Sequence, residues 1–188
     1  MTIVDTAWIF DIDGVVTNPS EKKVGEPEIL VHIVNKLKIK EPVAFNTGRS
    51  LPWLIERVIN PLLNMVEDKS ILENFIAVGE KGGAWLTFDK EGTILQHKEN
   101  SIHVGKGFAT DRILEWLKKK GIKPKQFIAF GDSPSDIAMA NRLHEKNLSF
   151  TFIFVDNKGE LKGVKFPFPI IYTKDRFDKG ALEFLRDR

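Results

Sequence analysis

Trp8-Ile-Phe-Asp-Ile-Asp-Gly-Val-Val-Thr17 sets two carboxylates two residues apart directly behind a short apolar run, with a glycine after them. If the run is a strand, alternate side chains share a face, so Asp11 and Asp13 start out roughly 6 to 7 Å apart on one side. Two negative charges at that distance repel by about 2 to 3 kcal/mol in a partly shielded protein environment. The rest of the chain has to supply whatever offsets this repulsion.

Working outward, apolar runs recur at Ala7 to Phe10, Val43 to Phe45, Phe75 to Val78, Phe127 to Phe130, Phe150 to Val155 and Ile170 to Tyr172. They are mostly continuous rather than alternating, as in strands buried on both faces. Helical spacing separates them: Ile29, Leu30, Ile33, Val34 and Leu37 form one apolar stripe, and Ile113, Leu114 and Leu117 another that stops at Gly121. The order β-α-β-α predicts an α/β fold, a Rossmann-like three-layer sandwich with a mainly parallel sheet. One segment departs from it. Trp85 to Leu95 reads as two short strands around a glycine-containing turn, a small β-hairpin insertion. We therefore expect a single domain over residues 1–188, with 84–105 as a hairpin insertion or a minimal cap. No internal repeat or low-complexity linker marks a second full domain.

In parallel sheets ligands bind at the carboxyl ends of the strands. The first run is followed by Asp11 and Asp13, the second by Asn46-Thr47-Gly48-Arg49-Ser50, and the fourth by Gly131-Asp132-Ser133-Pro134-Ser135-Asp136. Parallel strands would bring these clusters to one rim, where four carboxylates converge. Oxygen donors without histidine or thiolate suit magnesium, Mg2+, whose charge would make the crowding tolerable. Thr47 and Gly48, between a strand and a helix, offer a hydroxyl and backbone N–H groups to an anion. Metal and anion cradle together suggest phosphate. A lysine would counter charge on a transferred group, and Lys106, in Val104-Gly-Lys-Gly-Phe108, is the best placed.

These segments resemble the motifs of the haloacid dehalogenase superfamily of phosphohydrolases. DIDGVVT resembles its first motif, NTGR its second, GKGFA its lysine motif and GDSPSD its fourth, in the family's order along nearly the whole chain. The resemblance implies an Mg2+-dependent phosphomonoester hydrolase with Asp11 as the nucleophile that forms an aspartyl-phosphate. It further implies Asp13 as general acid and then base, Thr47, Gly48 and Lys106 around the phosphoryl oxygens, and a metal held by Asp11, the Asp13 backbone carbonyl and Asp132. Asp136 would orient the metal's waters or Lys106. Phosphotransfer, as in a phosphomutase, would use the same residues, and a non-catalytic regulator that binds a phosphorylated metabolite is the reading from another class. NTGR and GEKGGA are similar to segments of the sucrose- and trehalose-phosphate phosphatase branch, which points to a small sugar phosphate or related metabolite as substrate. Ser135 departs from the asparagine that often precedes the last acid. Lys179, in Asp178-Lys-Gly-Ala-Leu182, is a second textual match to the lysine motif but follows the fourth motif instead of preceding it. Arg49 is open between a structural role and a substrate contact.

The chain has 188 residues, 42% hydrophobic and 29% charged, enough for one domain with a sizeable core. A net charge of +2 gives no reason to expect nucleic acid as a partner. The sequence has no cysteine, which excludes disulfides and thiolate metal sites and suits a reducing interior. No apolar run approaches the ~20 residues of a membrane span and no leader pattern is evident, so a cytoplasmic location without membrane contact is expected. With little chain available for a lid, an open site would be covered by a large substrate or by a second subunit in a homo-oligomer. The histidines at 32, 97, 103 and 144 lack ligand spacing, and Trp8, Trp53, Trp85 and Trp116 read as packing residues, with Trp85 also placed to line a substrate entrance.

Overall fold

The structure, a computed structural model, describes residues 1–99, 103–155, 159, 161 and 163–188. In chain order its elements are β1 (Thr2–Phe10), α1 (Glu28–Lys38), β2 (Val43–Asn46), α2 (Leu51–Leu54), a π-helical turn (Ile55–Ile59), α3 (Asn60–Met65) and β3 (Phe75–Gly79). There follow β4 (Ala84–Phe88), β5 (Ile94–Lys98), α4 (Lys106–Lys119), β6 (Ile122–Gly131), α5 (Ile137–Glu145), β7 (Phe150–Phe154), β8 (Ile170–Tyr172) and α6 (Phe177–Arg186). The eight strands form one sheet in the order β5-β4-β3-β2-β1-β6-β7-β8. The pairings from β3 across the sheet to β8 are all parallel, and the two pairings of β4, with β3 and with β5, are antiparallel.

The sheet is apolar on both faces because its central strands are covered twice. Trp8, Phe10, Phe45, Phe75 and Phe130 pack on one face against α1, α2, α3 and α6. Ala7, Ile9, Ala44, Ile76 and Ala129 face the other way, against α4 and α5. Successive residues of β1 thus enter opposite cores, which is why its apolar run is unbroken. Phe10 and Phe130 stack across neighbouring strands with centroids 4.7 Å apart, locking the register beside the site. The expected α/β three-layer architecture is the one observed. Among the described residues no helix is long and apolar enough to cross a membrane.

Two strands are longer than the apolar runs suggest. β1 begins at Thr2 and β6 at Ile122, and these first halves pair with each other while β2 and β7 have not yet joined. Half-exposed, they carry polar residues such as Asp5 and Lys125, and so lack the signature of a buried strand. The hairpin read at Trp85 to Leu95 forms as β4 and β5, joined to β3 at the edge of the sheet. It extends the central sheet. Residues 100–102 of the expected 84–105 insertion lie outside the described residues.

Candidate active site

β1, β2 and β6 are parallel neighbours, and each ends just before a polar residue the sequence singled out. Asp11 follows Phe10, Thr47 follows Asn46, and Asp132 follows Gly131. The backbone N–H of Asp11 donates to Phe130 O at 3.1 Å and that of Thr47 to Val78 O at 2.9 Å, so sheet bonding continues one residue past the strands and fixes both positions. The sheet itself therefore aligns the rim.

Within this rim Lys106 is buried against two acids. Its Nζ lies 2.5 Å from Asp11 Oδ1 and 2.8 Å from Asp136 Oδ1, and donates to Asn46 O at 2.8 Å. Asn46 also holds the other end of this residue, donating from Nδ2 to Lys106 O at 3.0 Å. The Asp136 carboxylate accepts through Oδ2 from the backbone N–H of Asp132 and Ser133 and from Ser133 Oγ, at 3.1, 3.0 and 2.8 Å. Oxygens of Asp11, Asp132 and Asp136 all lie within 4.8 Å of one another. Burial raises the Asp11 carboxyl to about 7 against the pull of Lys106, and Asp136 and Asp132 push in the same upward direction as burial. Burial works to lower the Lys106 ammonium, but Asp11 and Asp136 together outweigh it and hold it above the usual lysine range.

Three of the four acids expected to converge do so. The fourth, Asp13, is paired with Arg49, whose Nε reaches Asp13 Oδ2 at 2.9 Å and whose Nη2 reaches Oδ1 at 2.8 Å. Strand alternation would have set Asp13 beside Asp11, but β1 ends at Phe10 and a tight turn takes over. Ile12 O accepts the N–H groups of Val16 and Thr17 at 3.0 and 2.9 Å, and Thr17 Oγ1 at 3.0 Å. Gly14 has φ of 76° in this turn, and a Cβ there would run into the Asp132 carboxylate. Glycine thus lets the Asp13–Gly14 backbone approach Asp132 closely.

Thr47 is fully buried, and its Oγ1 accepts from the Arg49 N–H at 3.1 Å, leaving its hydroxyl proton to donate. Gly48 and Arg49 continue this loop toward the surface. Lys179, the competing lysine, is exposed on α6 among Glu26, Asp175 and Glu183, away from the acids. Asn46 was quoted within the second motif but given no role. The signal available for it was its position as the last residue of a buried strand, where an amide needs partners. The four histidines stay out of the site. His97 stacks on Trp85 and His144 packs against Phe168. A cavity of 460 Å³ at the opposite end of the sheet, lined by Met1, Leu117, Pro124 and Phe127, has no carboxylate in its wall.

The donor set fits a hard divalent cation. Three clustered carboxylates, two of them paired with one ammonium, leave about two formal negative charges, and all the donors are oxygens. The close approach enforced by Gly14 brings backbone to the Asp132 side of the cluster. Asp11 and Asp132 could hold magnesium together with that backbone, whereas the Asp136 carboxylate is already committed to Lys106 and to the 132–133 backbone.

No family model and no curated protein matches this chain in sequence. Solved structures do match in fold. A Thermoplasma acidophilum protein, 0175, superposes with a TM-score of 0.60 at 12% identity, covering 98% of each chain. The trehalose-6-phosphate phosphatase of Aspergillus fumigatus gives 0.61 at 13% identity, over 98% of this chain and 93% of that one. A C-terminally truncated IMP-nucleotidase of Plasmodium falciparum gives 0.57 at 13% identity, over 97% of this chain and 70% of that one. The chain shares their overall fold, in agreement with the haloacid dehalogenase type its motifs resemble.

Proposed function

We propose that this protein is a magnesium-dependent phosphomonoester hydrolase of the haloacid dehalogenase type, acting through an aspartyl-phosphate on Asp11. One observation carries the reading. Lys106 meets Asp11 at 2.5 Å inside a buried cluster with Asp132 and Asp136, at the carboxyl rim of the parallel strands and beside the buried Thr47. An ordinary structural ion pair would not set one lysine on two acids with a third acid beside them at that edge.

In the first half-reaction an Asp11 carboxylate oxygen attacks phosphorus, and the bond from phosphorus to the alcohol oxygen breaks. Asp13, parted from Arg49 and carrying a proton taken up from the solvent, gives that proton to the departing oxygen. In the second half-reaction Asp13, now a carboxylate, takes a proton from the water that attacks the phosphoryl group on Asp11, and inorganic phosphate leaves. Lys106 and the Thr47 hydroxyl hold the phosphoryl oxygens, and the N–H groups around Gly48 add to the cradle. Magnesium, when bound by Asp11, Asp132 and the Asp13 backbone carbonyl, supplies positive charge that favours ionised Asp11 and offsets charge on the phosphoryl oxygens. Asp136 holds Lys106 in place.

Similarity in fold to a trehalose-6-phosphate phosphatase supports a small sugar phosphate or related metabolite as substrate. We read the chain as one domain without a separate cap, since β4 and β5 are built into the central sheet, so that cover comes from the substrate or from a second copy of the chain. A cytoplasmic setting suits a chain without cysteine. The test is release of inorganic phosphate from p-nitrophenyl phosphate with magnesium, its loss on chelation, and its loss in Asp11→Asn. Activity that survives both chelation and Asp11→Asn would overturn the mechanism.

A further inference from the structure

The turn after β3 is strained, and it lies against both sides of the phosphate cradle. Glu80 and Lys81 have φ of 51° and 54°, in a left-handed region that costs residues other than glycine roughly 1–2 kcal/mol each. Three backbone hydrogen bonds hold them there. Glu80 N–H donates to Arg49 O at 2.9 Å, Lys81 N–H to Thr47 O at 3.1 Å, and Gly105 N–H to Lys81 O at 2.8 Å. Gly79 permits the approach, since a Cβ there would stand 2.7 Å from Arg49 O. The turn thereby ties the Thr47 loop to the residue just before Lys106. Strain of this kind persists where the surroundings over-determine it, and it gathers at binding sites.

The outcome for side chains is a pair of cations flanking Gly48. The exposed Lys81 lies along Gly48, where an added methyl would stand 3.6 Å from its Cε. Among the described residues Lys81 has no ion pair. Arg49 follows Gly48 directly, rests on the Trp53 ring at 4.7 Å, and uses only Nε and Nη2 on Asp13. Its Nη1 has no hydrogen-bond partner among the described residues. On the phosphatase reading a single phosphoryl group is already served by Lys106, Thr47 and the magnesium that the acids would hold. Two further cations, one of them positioned at the expense of backbone strain, exceed what one phosphate needs.

We infer that the site selects phosphomonoesters carrying a second anionic group, a carboxylate or another phosphate, which Lys81 and Arg49 hold at the mouth. The inference rests on the phosphatase reading and adds a substrate class to it. A second anion that takes up the Arg49 guanidinium also competes with Asp13 for it. The carboxylate assigned to leaving-group chemistry is then set free by the substrate itself, so that recognition shows in kcat as well as in KM. With an ester lacking this group, Asp13 must part from Arg49 without the substrate's help.

Matched esters test this in the 188-residue chain with magnesium: phosphonooxypropanoate and propanediol bisphosphate against propyl phosphate, which has no second anionic group. The wild type should favour both anionic esters by about tenfold or more in kcat/KM, roughly 1.4 kcal/mol, with the preference shrinking as salt is raised. If only one is favoured, the second group is identified as carboxylate or phosphate accordingly. Lys81→Asn, whose amide tolerates the left-handed backbone, and Arg49→Gln should each bring the ratio toward unity, whereas Lys81→Arg should keep it. Equal turnover of all three esters by the wild type, or an unchanged ratio in both neutral variants, overturns this inference alone. Release of no phosphate from any ester overturns the phosphatase reading together with it.

Discussion

Replacing Lys106 by methionine removes the ammonium shared by Asp11 and Asp136 while preserving most of the side-chain volume. The pairs measure 2.5 and 2.8 Å, with side-chain exposures of 9% for Lys106, 8% for Asp11 and 0% for Asp136. At the longer distance of 2.8 Å and an effective dielectric of about 20, the attraction is roughly 6 kcal/mol before desolvation is counted. Burying each ion costs several kcal/mol, which cancels most of that gain in the wild type. The variant keeps the buried carboxylates and loses the attraction, so it should unfold about 3–5 kcal/mol more easily. One escape is available: Asp11, already raised to about 7, can take up a proton. The loss should therefore be larger near pH 8 than near pH 5. Urea unfolding in the presence of a chelator measures it, with Lys179→Met as the exposed control, expected within about 0.5 kcal/mol of wild type. Adding Asp11→Asn to Lys106→Met should recover a good part of the loss, since it removes one of the stranded charges. A Lys106→Met protein as stable as wild type near pH 8, or strict additivity with Asp11→Asn, would refute the buried-pair reasoning.

The Asp11 shift has its own sign. A carboxyl raised to about 7 when folded, against about 4 when unfolded, makes the native state bind more protons across that interval, so this group's contribution to stability falls as pH rises from about 4 to 7. Without metal, Asp11→Asn should match the wild type near pH 4 and exceed it in melting temperature above pH 7; equal melting temperatures throughout would contradict the shift. Magnesium should raise the wild-type melting temperature near neutral pH and do so far less for Asp132→Asn, a binding readout independent of turnover. Gly14→Ala combines a left-handed φ of 76° with a Cβ that meets the Asp132 carboxylate, so it should cost about 1–3 kcal/mol in stability and weaken the magnesium response. A variant with wild-type magnesium response would mean that the turn does not shape the metal position.

Three of the residues that were legible in the sequence share one property: each directly follows a buried parallel strand. Asp11, Thr47 and Asp132 are positioned by backbone pairing that apolar runs announce, and Lys106 opens a helix whose apolar stripe packs on the same sheet. What was hidden depends on where regular structure stops. The period-two argument placed Asp13 beside Asp11, but the strand ends at Phe10 and the turn around Ile12 O sends Asp13 to Arg49 instead. Glu80 and Lys81 are ordinary surface residues in composition, and their left-handed backbone exists only because Thr47, Arg49 and Gly105 supply partners from elsewhere in the chain. Asn46 was visible as part of a motif, yet its hold on both ends of Lys106 needs two segments sixty residues apart to meet.

That double hold divides the site into a fixed half and a movable half. Lys106 is gripped at Nζ by Asn46 O and at its own carbonyl by Asn46 Nδ2, with Thr110 Oγ1 donating to the same carbonyl at 2.8 Å. At 9% side-chain exposure its ammonium has little room to follow a substrate. Charge held this way needs no reorganisation when a phosphoryl group passes by, which is where electrostatic catalysis gains most. Asp13 and Arg49, at 34% and 37% side-chain exposure, are wet enough to part at small cost. The proposed proton transfers require that freedom, because in them the same carboxylate faces first a leaving oxygen and then a water. On the proposed mechanism the rigid group therefore sits where charge has to be waiting, and the loose pair where a proton has to travel. Arg49 belongs to the loose pair, so under the proposed reading it is the point at which a substrate's second charge would act on the chemistry without disturbing the acids around Lys106.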